Sequence, residues 1–512
     1  MGYEQDFNLQ LFQTILCVEM KYFSLMRYFL LLLVVWFYGM GISDFSDDAP
    51  HGIHFIRQTD GIAFIHHYLK SDDGFLSLGT LNLQSLAGKA ACEFPLLYWV
   101  SAKSVDWLGQ ETSILRLLHG CFAIIGLWSL FGLSAFFVSS LFLRLMLIIT
   151  TMTCTVFNFY AFNFLPDMAA WGMTLLGYFA WIRFFHLKGR RLLFLGALAF
   201  SLAGLFKITF LIHPAALLLA FAVVHFRWTL RTFFVVAVVT ITVVLGWWAF
   251  VVYYNQLSGD TYFNTASKSI WDATADQRYR VFLAITKHWR NSYFPKYTWY
   301  GLGAMILVII YSWKSIAKSL RLWWLFLLIF GVTYALFFWQ QLEHHDYYFL
   351  NVLPWFLLVW ILFFQALENA RWKPWLRYSM LLLLCAFTIS SCLKAKDKFH
   401  FRLNEVTEEE RPIARLKELI QHNRDVFDGI KSEKVWVIGD KTKNGSLTLI
   451  NAIGYTQPEQ FNAAFLKKLI PLEITKVILL SDDIEAVRQL GFAGWKIVVK
   501  DSLNQTMLFT QR

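Results

Sequence analysis

Long apolar runs are the feature that most limits what this chain can fold into. A helix needs about 20 apolar residues to cross the hydrocarbon core of a bilayer, and the 512-residue sequence supplies such runs repeatedly. Hydrophobic residues make up 57% of the chain, including 50 Phe and 22 Trp, far more than a soluble core of this length needs. The sequence therefore predicts a polytopic α-helical membrane protein.

Apolar runs separated by charged residues predict about eleven membrane-spanning helices. The run at 22–42 is too long for the core of a signal peptide, so we expect it to be retained as the first span after a cytoplasmic segment, 1–21. The two runs on either side of Lys207 are short. The predicted spans are approximately 22–42, 113–135, 143–163, 168–186, 192–206, 209–226, 232–254, 298–313, 322–340, 347–366 and 377–393.

The distribution of basic residues predicts the orientation of these spans. With the N-terminus in the cytoplasm, the short cytoplasmic turns hold thirteen Lys and Arg residues and one acid, Glu368. This bias is typical of cytoplasmic loops. It places outside a first loop at 44–112, which has nine acids and four bases, and a second loop at 255–297. The transmembrane domain would then comprise 22–393.

The composition changes after residue 393. Residues 394–512 hold 19 Lys and Arg and 16 Asp and Glu, with short apolar runs at 435–438, 477–480 and 495–499. Amphipathic stretches alternate with these runs, and a turn at 501–505 leads into a last candidate strand. This pattern predicts a small extracytoplasmic α/β domain.

Several function classes fit the sequence poorly. The formal net charge is +11, but the basic residues are spread over short loops, which argues against a nucleic-acid-binding surface. The six cysteines show no metal-binding spacing, and we predict no metal site from them. His51 and His54, near Asp47 and Asp48, could suggest a metal site, but their spacing is not diagnostic.

Charged residues at membrane depth are costly and usually mark a site or a pathway. Four of them map to the predicted outer side: Asp60, Glu93, Asp167 and Lys207. Each also has a structural alternative: the carboxylates could cap helices or form weak local pairs, and Lys207 could extend to the interface. A cluster at 344–348, which contains His345 and Tyr347, lies on the same side.

The order of these motifs resembles the C-type glycosyltransferase superfamily of membrane enzymes, in the branch with protein O-mannosyltransferases and the lipid A aminoarabinose transferase. The motifs that carry the resemblance span roughly residues 20–365: Arg57-Gln-Thr-Asp60, Glu93-Phe-Pro-Leu-Leu-Tyr-Trp, Pro166-Asp167, Lys207 between two short spans, and His345-Asp-Tyr-Tyr348 followed by Pro354. The sequence departs from the aminoarabinose branch at Phe94, where that branch has a lysine.

The resemblance implies an inverting glycosyltransferase of the inner or plasma membrane. Its donor would be a sugar on polyprenyl phosphate, and its acceptor a hydroxyl of a glycan, lipid or protein on the extracytoplasmic face. Asp60, Glu93 and Asp167 would form the catalytic group, with Asp60 as the base. The donor phosphate would be bound by Lys207, Arg57, His345 and Tyr347. The sequence requires no cofactor and leaves open a divalent cation at the outer carboxylates.

The alternative function is a multi-span transporter or flippase of lipid-linked sugars. Such a protein would also carry charged residues within its spans. Inverted repeats are common in transporters, but no internal repeat is visible here, and the charges gather on one side rather than along a path through the membrane.

Overall fold

The computed structural model describes residues 26–511 except 46–48, 72–73, 188, 225–229, 264–266, 458–472, 481–489, 491–493 and 502–504. The predicted cytoplasmic segment 1–21 lies outside this part of the chain. The helices are α1 (Met26–Met40), α2 (Phe55–Lys70), α3 (Leu96–Leu108), α4 (Glu111–Ser134), α5 (Leu141–Met152), α6 (Thr155–Ala161), α7 (Asp167–Leu187), α8 (Arg190–Phe206), α9 (Ile212–Val224), α10 (Leu230–Ser258), α11 (Ala275–Leu283), α12 (Arg290–Tyr293), α13 (Lys296–Tyr311), α14 (Lys318–Phe337), α15 (Phe349–Asn369), α16 (Pro374–Leu403), α17 (Glu410–His422), α18 (Arg424–Gly429) and α19 (Gly445–Ile450).

The helical, multi-span character predicted from the sequence is confirmed, whereas the number of spans is not. Among the described residues, five helices are long and apolar enough to cross a membrane: α4, α14, α16, most of α10, and α15 with the turn before it. The pair α5 and α6, bent by 75°, would make a sixth if it forms one broken span. Helices α1 and α9 are apolar but shorter, so the count of about eleven remains a prediction. The chain is an integral membrane protein.

Two small residues fix the packing of α4 against α7. A Cβ atom at Gly172 would collide with the backbone carbonyl of Phe122, and one at Gly126 would collide with the ring of Trp171. Small residues let membrane helices approach this closely. The contact holds the N-terminal half of α7, which begins at Asp167.

The chain between α8 and α9 changes direction at Lys207. Helix α8 ends at Phe206, Lys207 is extended (φ −155°, ψ 108°), and a short 3₁₀ turn at Ile208–Leu211 leads into α9. Lys207 therefore lies at the break between two short apolar helices, where the sequence predicted it.

The C-terminal region contains the predicted small sheet. Its strands are β1 (Lys434–Ile438), β2 (Ile453–Gln457), β3 (Lys476–Leu479), β4 (Trp495–Lys500) and β5 (Met507–Gln511), in the order β2-β1-β3-β5-β4. Strands β1, β2 and β3 are parallel, and β5 is antiparallel to both β3 and β4. The predicted final hairpin is present as β4 and β5. Strand β2 was not predicted.

The sheet docks onto the first loop through its β2 edge. The Leu83 N–H donates to the Gly454 carbonyl at 2.7 Å, and the Gly454 N–H donates to the Leu81 carbonyl at 3.0 Å. Phe55 of α2 and Leu81 are buried in the same apolar cluster as Val435 and Val437 of β1. The residues after α1 and the C-terminal sheet thus share one core, which places α19 against α2.

Candidate active site

Asp60 lies in the middle of α2 and is 1% exposed. One carboxylate oxygen accepts a hydrogen bond from the side-chain amide of Asn444 at 2.8 Å. The other accepts from the hydroxyl of Tyr262 at 3.0 Å and lies 3.6 Å from a guanidinium nitrogen of Arg57. Asn444 and Tyr262 belong to two other segments of the chain, so Asp60 is held where three segments meet.

Arg57 connects Asp60 with Glu93. Its Nη2 donates to both carboxylate oxygens of Glu93, and the hydroxyl of Tyr98 donates to the same carboxylate. The second terminal nitrogen, Nη1, is buried and makes no hydrogen bond with any residue that the structure describes. The structural alternative of a local Glu93–Lys89 pair does not occur, because Glu93 pairs with Arg57 across the two segments.

The two carboxylates of this cluster differ in acidity. Burial raises the pKa of Asp60 above its ordinary value, and Arg57, Asn444 and Tyr262 offset only part of that effect. Burial also raises the pKa of Glu93, but Arg57 and the hydrogen bonds to the carboxylate outweigh it and leave the pKa at about 2. Glu93 is therefore ionised near neutral pH, whereas Asp60 is the better proton acceptor of the two.

The Glu93 segment lies against the C-terminal end of α8. The N–H of Phe94 donates to the carbonyl of Leu205 at 3.1 Å, two residues before Lys207. Lys207 Nζ lies 3.4 Å from a carboxylate oxygen of Asp167 at the start of α7. This pair interacts electrostatically with Arg57 and Glu93. The structure thus brings the four charged residues that were singled out from the sequence, together with Arg57, into one cluster.

Aromatic residues surround the ammonium of Lys207. It lies 5.2 Å from the ring centre of Tyr347 and 4.8 Å from that of Tyr348, within cation–π range. The ring of His345 packs against both tyrosines at 5.3 Å, and its Nδ1 is buried with no hydrogen bond in the described part of the chain. The predicted phosphate-binding residues His345 and Tyr347 therefore adjoin Lys207.

Asp346, between these residues in sequence, has a different environment. It is fully buried and accepts hydrogen bonds from His54 at 2.8 Å, from the Tyr160 hydroxyl at 2.8 Å, and from Arg402. The network ties the start of α2 and the end of α16 to the turn that carries His345 and Tyr347. Its partners are too far apart in sequence for the motif alone to have indicated them.

The sequence also gave no indication of Tyr262 and Asn444 as neighbours of Asp60. Asn444 lies 384 positions from Asp60 in the chain, inside a domain with no site-like cluster of its own. Tyr262 belongs to the second predicted outer loop, 255–297, in which no site residue was predicted.

The two histidines that could suggest a metal site, His51 and His54, contact different residues. His51 Nδ1 bonds Glu410 at 2.6 Å, whereas His54 bonds Asp346, so the two rings have separate partners. Asp47 and Asp48 lie outside the described residues. Within the described ranges there is no group of three or more His, Cys, Asp or Glu placed to bind a metal ion.

The arrangement of the helices and the sheet allows a comparison with solved structures. The fold is similar to that of ArnT from Cupriavidus metallidurans. The TM-score is 0.58 for the apo state and 0.59 for the state bound to undecaprenyl phosphate; in both, the identity is 13%, and the match covers 94% of this chain and 97% of ArnT. The resemblance to C-type glycosyltransferases is confirmed at the level of fold.

The Archaeoglobus fulgidus oligosaccharyltransferase has a similar fold over less of its length. In its complex with zinc and sulfate, the TM-score is 0.52 and the identity 12%, over 84% of this chain and 64% of that protein. No protein-family model matches the chain, and no curated protein matches it by sequence.

Proposed function

We propose that this chain is an inverting glycosyltransferase that moves a sugar from a polyprenyl phosphate to an acceptor hydroxyl. The observation that carries the proposal is that Asp60, a buried carboxylate with a raised pKa, pairs with Arg57 in a cluster that also contains the Lys207–Asp167 pair. This combination offers a base and a phosphate-binding group side by side. The fold shared with ArnT, one structure of which contains undecaprenyl phosphate, supports the donor class.

The reaction needs a base for the acceptor hydroxyl and cations for the leaving phosphate. Asp60 accepts the proton of the acceptor hydroxyl, whose oxygen attacks the anomeric carbon, while the bond from that carbon to the phosphate oxygen breaks on the opposite face. The leaving phosphate takes the electron pair of the broken bond. A phosphate ester leaves readily, so cations that stabilise the developing charge can replace a general acid.

Lys207 and Arg57 offer a phosphate two different kinds of cationic donor. Lys207 supplies a compact point charge, and Nη1 of Arg57, which faces Asp60 at 3.6 Å, makes no hydrogen bond with a described residue and keeps its donors for a phosphate. Tyr347 and His345 adjoin Lys207 and complete this face. Phe94, which packs its ring against Phe75 and Trp247, stands where the aminoarabinose branch has a lysine. Lys89, Arg57 or Lys207 would take over the phosphate contact of that lysine.

Glu93 and Asp167 act with Asp60 by holding the cations in place. Glu93 binds Arg57, and Asp167 binds Lys207. Largely buried cations without such partners would be unfavourable. In this proposal, the paired carboxylates orient the phosphate-binding groups while Asp60 alone transfers the proton.

The site would face the extracytoplasmic side of the inner or plasma membrane. On this proposal the loops at 44–112 and 255–297 and the domain at 394–512 are outside, and 1–21 is cytoplasmic. The acceptor is a hydroxyl of a glycan, lipid or protein, and membrane lipids surround the domain at 22–393. The thirteen-to-one basic bias of the opposite loops supports this orientation.

A reporter fusion tests the orientation. A reporter that is active only after export, fused at the C-terminus after residue 512, should be active, and one fused within 371–373 should be inactive. The same two positions carrying a reporter that is active only in the cytoplasm should give the opposite result. Cytoplasmic activity at the C-terminus would place Asp60 on the side away from lipid-linked donors.

Replacing Lys207 by glutamine tests phosphate binding. The change removes the charge and keeps most of the side-chain length, so undecaprenyl phosphate should bind about tenfold or more weakly, since a hydrogen bond to a charged group is lost. Turnover should also fall, because the charge on the leaving phosphate grows in the transition state. Binding is measured by native mass spectrometry of the purified protein.

Lys103→Gln is the matched control, because Lys103 is an exposed lysine of α3. It should bind undecaprenyl phosphate like the unaltered protein. Equal binding and turnover in Lys207→Gln and Lys103→Gln would reduce Lys207 to a structural partner of Asp167.

A further inference from the structure

A loop of the C-terminal domain reaches into the candidate active site. Asn444, at the start of α19, is 0% exposed, and its Nδ2 donates to an oxygen of Asp60 at 2.8 Å. The contact joins the C-terminal domain to the middle of α2. The domain therefore contributes a side chain to the immediate environment of the proposed base.

The loop that presents Asn444 is rigidly built. The buried carboxylate of Asp440 accepts hydrogen bonds from the N–H and hydroxyl of Thr442, both at 2.7 Å, and from the N–H of Ser446 at 3.1 Å. The Gly445 N–H in turn donates to the Thr442 hydroxyl at 2.8 Å. These hydrogen bonds lie within the loop, so they fix the backbone on both sides of Asn444 without any contact from α2.

A second set of contacts docks this loop onto the outer loops. Lys443 Nζ lies 3.0 Å from Asp260 in a pair that is almost completely buried, and the Lys443 carbonyl accepts from the Asn82 side chain at 2.7 Å. The ammonium of Lys443 also lies 4.5 Å from the ring centre of Tyr262, whose hydroxyl donates to Asp60. Lys443, which contacts Tyr262 and precedes Asn444 in sequence, therefore links the two residues that donate to the two carboxylate oxygens of Asp60.

We propose that Asn444 is a positioning residue that fixes the rotation of the Asp60 carboxylate, so that the C-terminal domain is an essential part of the active site. The inference rests on the proposed role of Asp60 as the base. The Asn444 carbonyl oxygen is buried without a hydrogen bond among the described residues. An unsatisfied buried acceptor is unfavourable, so an apolar residue would suit simple packing better, and the bond to Asp60 explains why an amide is present.

The role predicts a particular pH dependence. The groups that face Asp60 are Arg57 on its own helix, Glu93, Tyr262 and Asn444. A hydrogen bond to the ionised carboxylate favours that form, so removing the Asn444 donor raises the pKa of Asp60 further. The base is active when ionised, so the rising limb of kcat/KM against pH should move to higher pH.

The experiment compares three full-length variants in membranes supplied with a polyprenyl-phosphate sugar, by following release of the polyprenyl phosphate. In Asn444→Leu, kcat should fall about tenfold to a hundredfold near neutral pH, as expected for a lost hydrogen bond to a charged group. The KM for the donor should change little, because Lys207 and Arg57 hold the phosphate. The loss should shrink as the pH rises.

Asn444→Asp is nearly isosteric and places a second carboxylate against Asp60. Two adjacent carboxylates retain a proton between them, so its pH profile should move further to alkaline than that of Asn444→Leu. Gln84→Leu is the control. It removes another contact between the first loop and the sheet, the 2.7 Å bond from Gln84 to the Thr456 carbonyl, without touching Asp60, and its pH profile should be unchanged.

The outcomes separate this inference from the proposed function. Unchanged kcat and pH profiles in both Asn444 variants, or a loss that is uniform with pH and equal to that of Gln84→Leu, would overturn the positioning role. If Asp60→Asn abolishes turnover at the same time, the proposed base remains and only the role of Asn444 fails. If Asp60→Asn is fully active, the proposed function fails first.

Discussion

Replacing Asp60 by asparagine should lower turnover by about 10²-fold or more, because the amide cannot accept the proton of the acceptor hydroxyl. The remaining oxygen of the amide can still accept the hydrogen bond from Asn444, and Tyr262 can accept from the new amide nitrogen. Binding of undecaprenyl phosphate should persist, since Lys207 and Asp167 are unchanged. The measurement is release of polyprenyl phosphate from a polyprenyl-phosphate sugar by membranes with equal amounts of each variant.

The matched control for this change is Asp106→Asn, in an exposed acid of α3 in the same predicted outer loop. It should retain full turnover. Near-full activity of Asp60→Asn would move the base to Glu93 or Asp167. The pKa of about 2 makes Glu93 the poorer replacement, because so acidic a carboxylate holds a proton weakly.

The charged part of the site could be predicted because membrane depth makes charge expensive. Four charged residues occur beside apolar runs, where a charge is costly and usually marks a site or a pathway: Asp60, Glu93, Asp167 and Lys207. The orientation rule assigned them to one side, and the structure groups them around Arg57 and the tyrosines. Their pairing could not be predicted: Arg57 was expected to bind phosphate, but it also holds Glu93.

The neutral part of the site gave no comparable signal. An asparagine in the predicted α/β domain and a tyrosine in a predicted loop are ordinary residues, and the docking of the sheet onto the first loop brings Asn444 to Asp60. That docking uses β2, whose sequence Ile-Gly-Tyr-Thr-Gln lacks the apolar run that identified β1, β3 and β4. Missing β2 therefore meant missing the connection between the two domains.

Helix packing also affects how many membrane spans can be counted from the sequence. Burial against other helices lets a short or polar helix remain at membrane depth, so length and apolarity undercount spans when the helices pack closely. Helix α7, for which a span was predicted, has mostly buried residues and begins at the charged Asp167; that it crosses the membrane stays a prediction. The sequence pattern shows where helices occur more reliably than which of them cross.

Removing Arg57 should have the largest effect on stability. In Arg57→Met, Glu93 becomes a buried carboxylate without its cation, which typically costs ~3–5 kcal/mol. Glu93 is 4% exposed, so water cannot replace the lost partner. Unfolding by sodium dodecyl sulfate in mixed micelles would measure the loss, and turnover should fall with it, because a proposed phosphate ligand is gone.

The second change, Glu93→Gln in the same chain, separates the two effects. Neutralising Glu93 removes the uncompensated charge while Tyr98 can still donate to the amide oxygen, so Arg57→Met/Glu93→Gln should recover most of the lost stability. Turnover should not recover, because the site still lacks the cation. Recovery of turnover in the double variant would show that Arg57 serves only to neutralise Glu93.

The pH dependence of stability gives an independent check with a definite sign. With Arg57 present, the pKa of Glu93 lies at about 2, below its ordinary value, so the pair stabilises the fold above the ordinary pKa and the stabilisation is lost as the pH falls towards 2. Without Arg57, burial dominates and the pKa of Glu93 rises above the ordinary value. Arg57→Met should then become more stable as the pH falls and Glu93 takes up a proton, opposite to the trend that Glu93 contributes in the unaltered protein. A deficit that does not change with pH would mean that lost packing of the arginine side chain, rather than an unpaired Glu93, destabilises the variant.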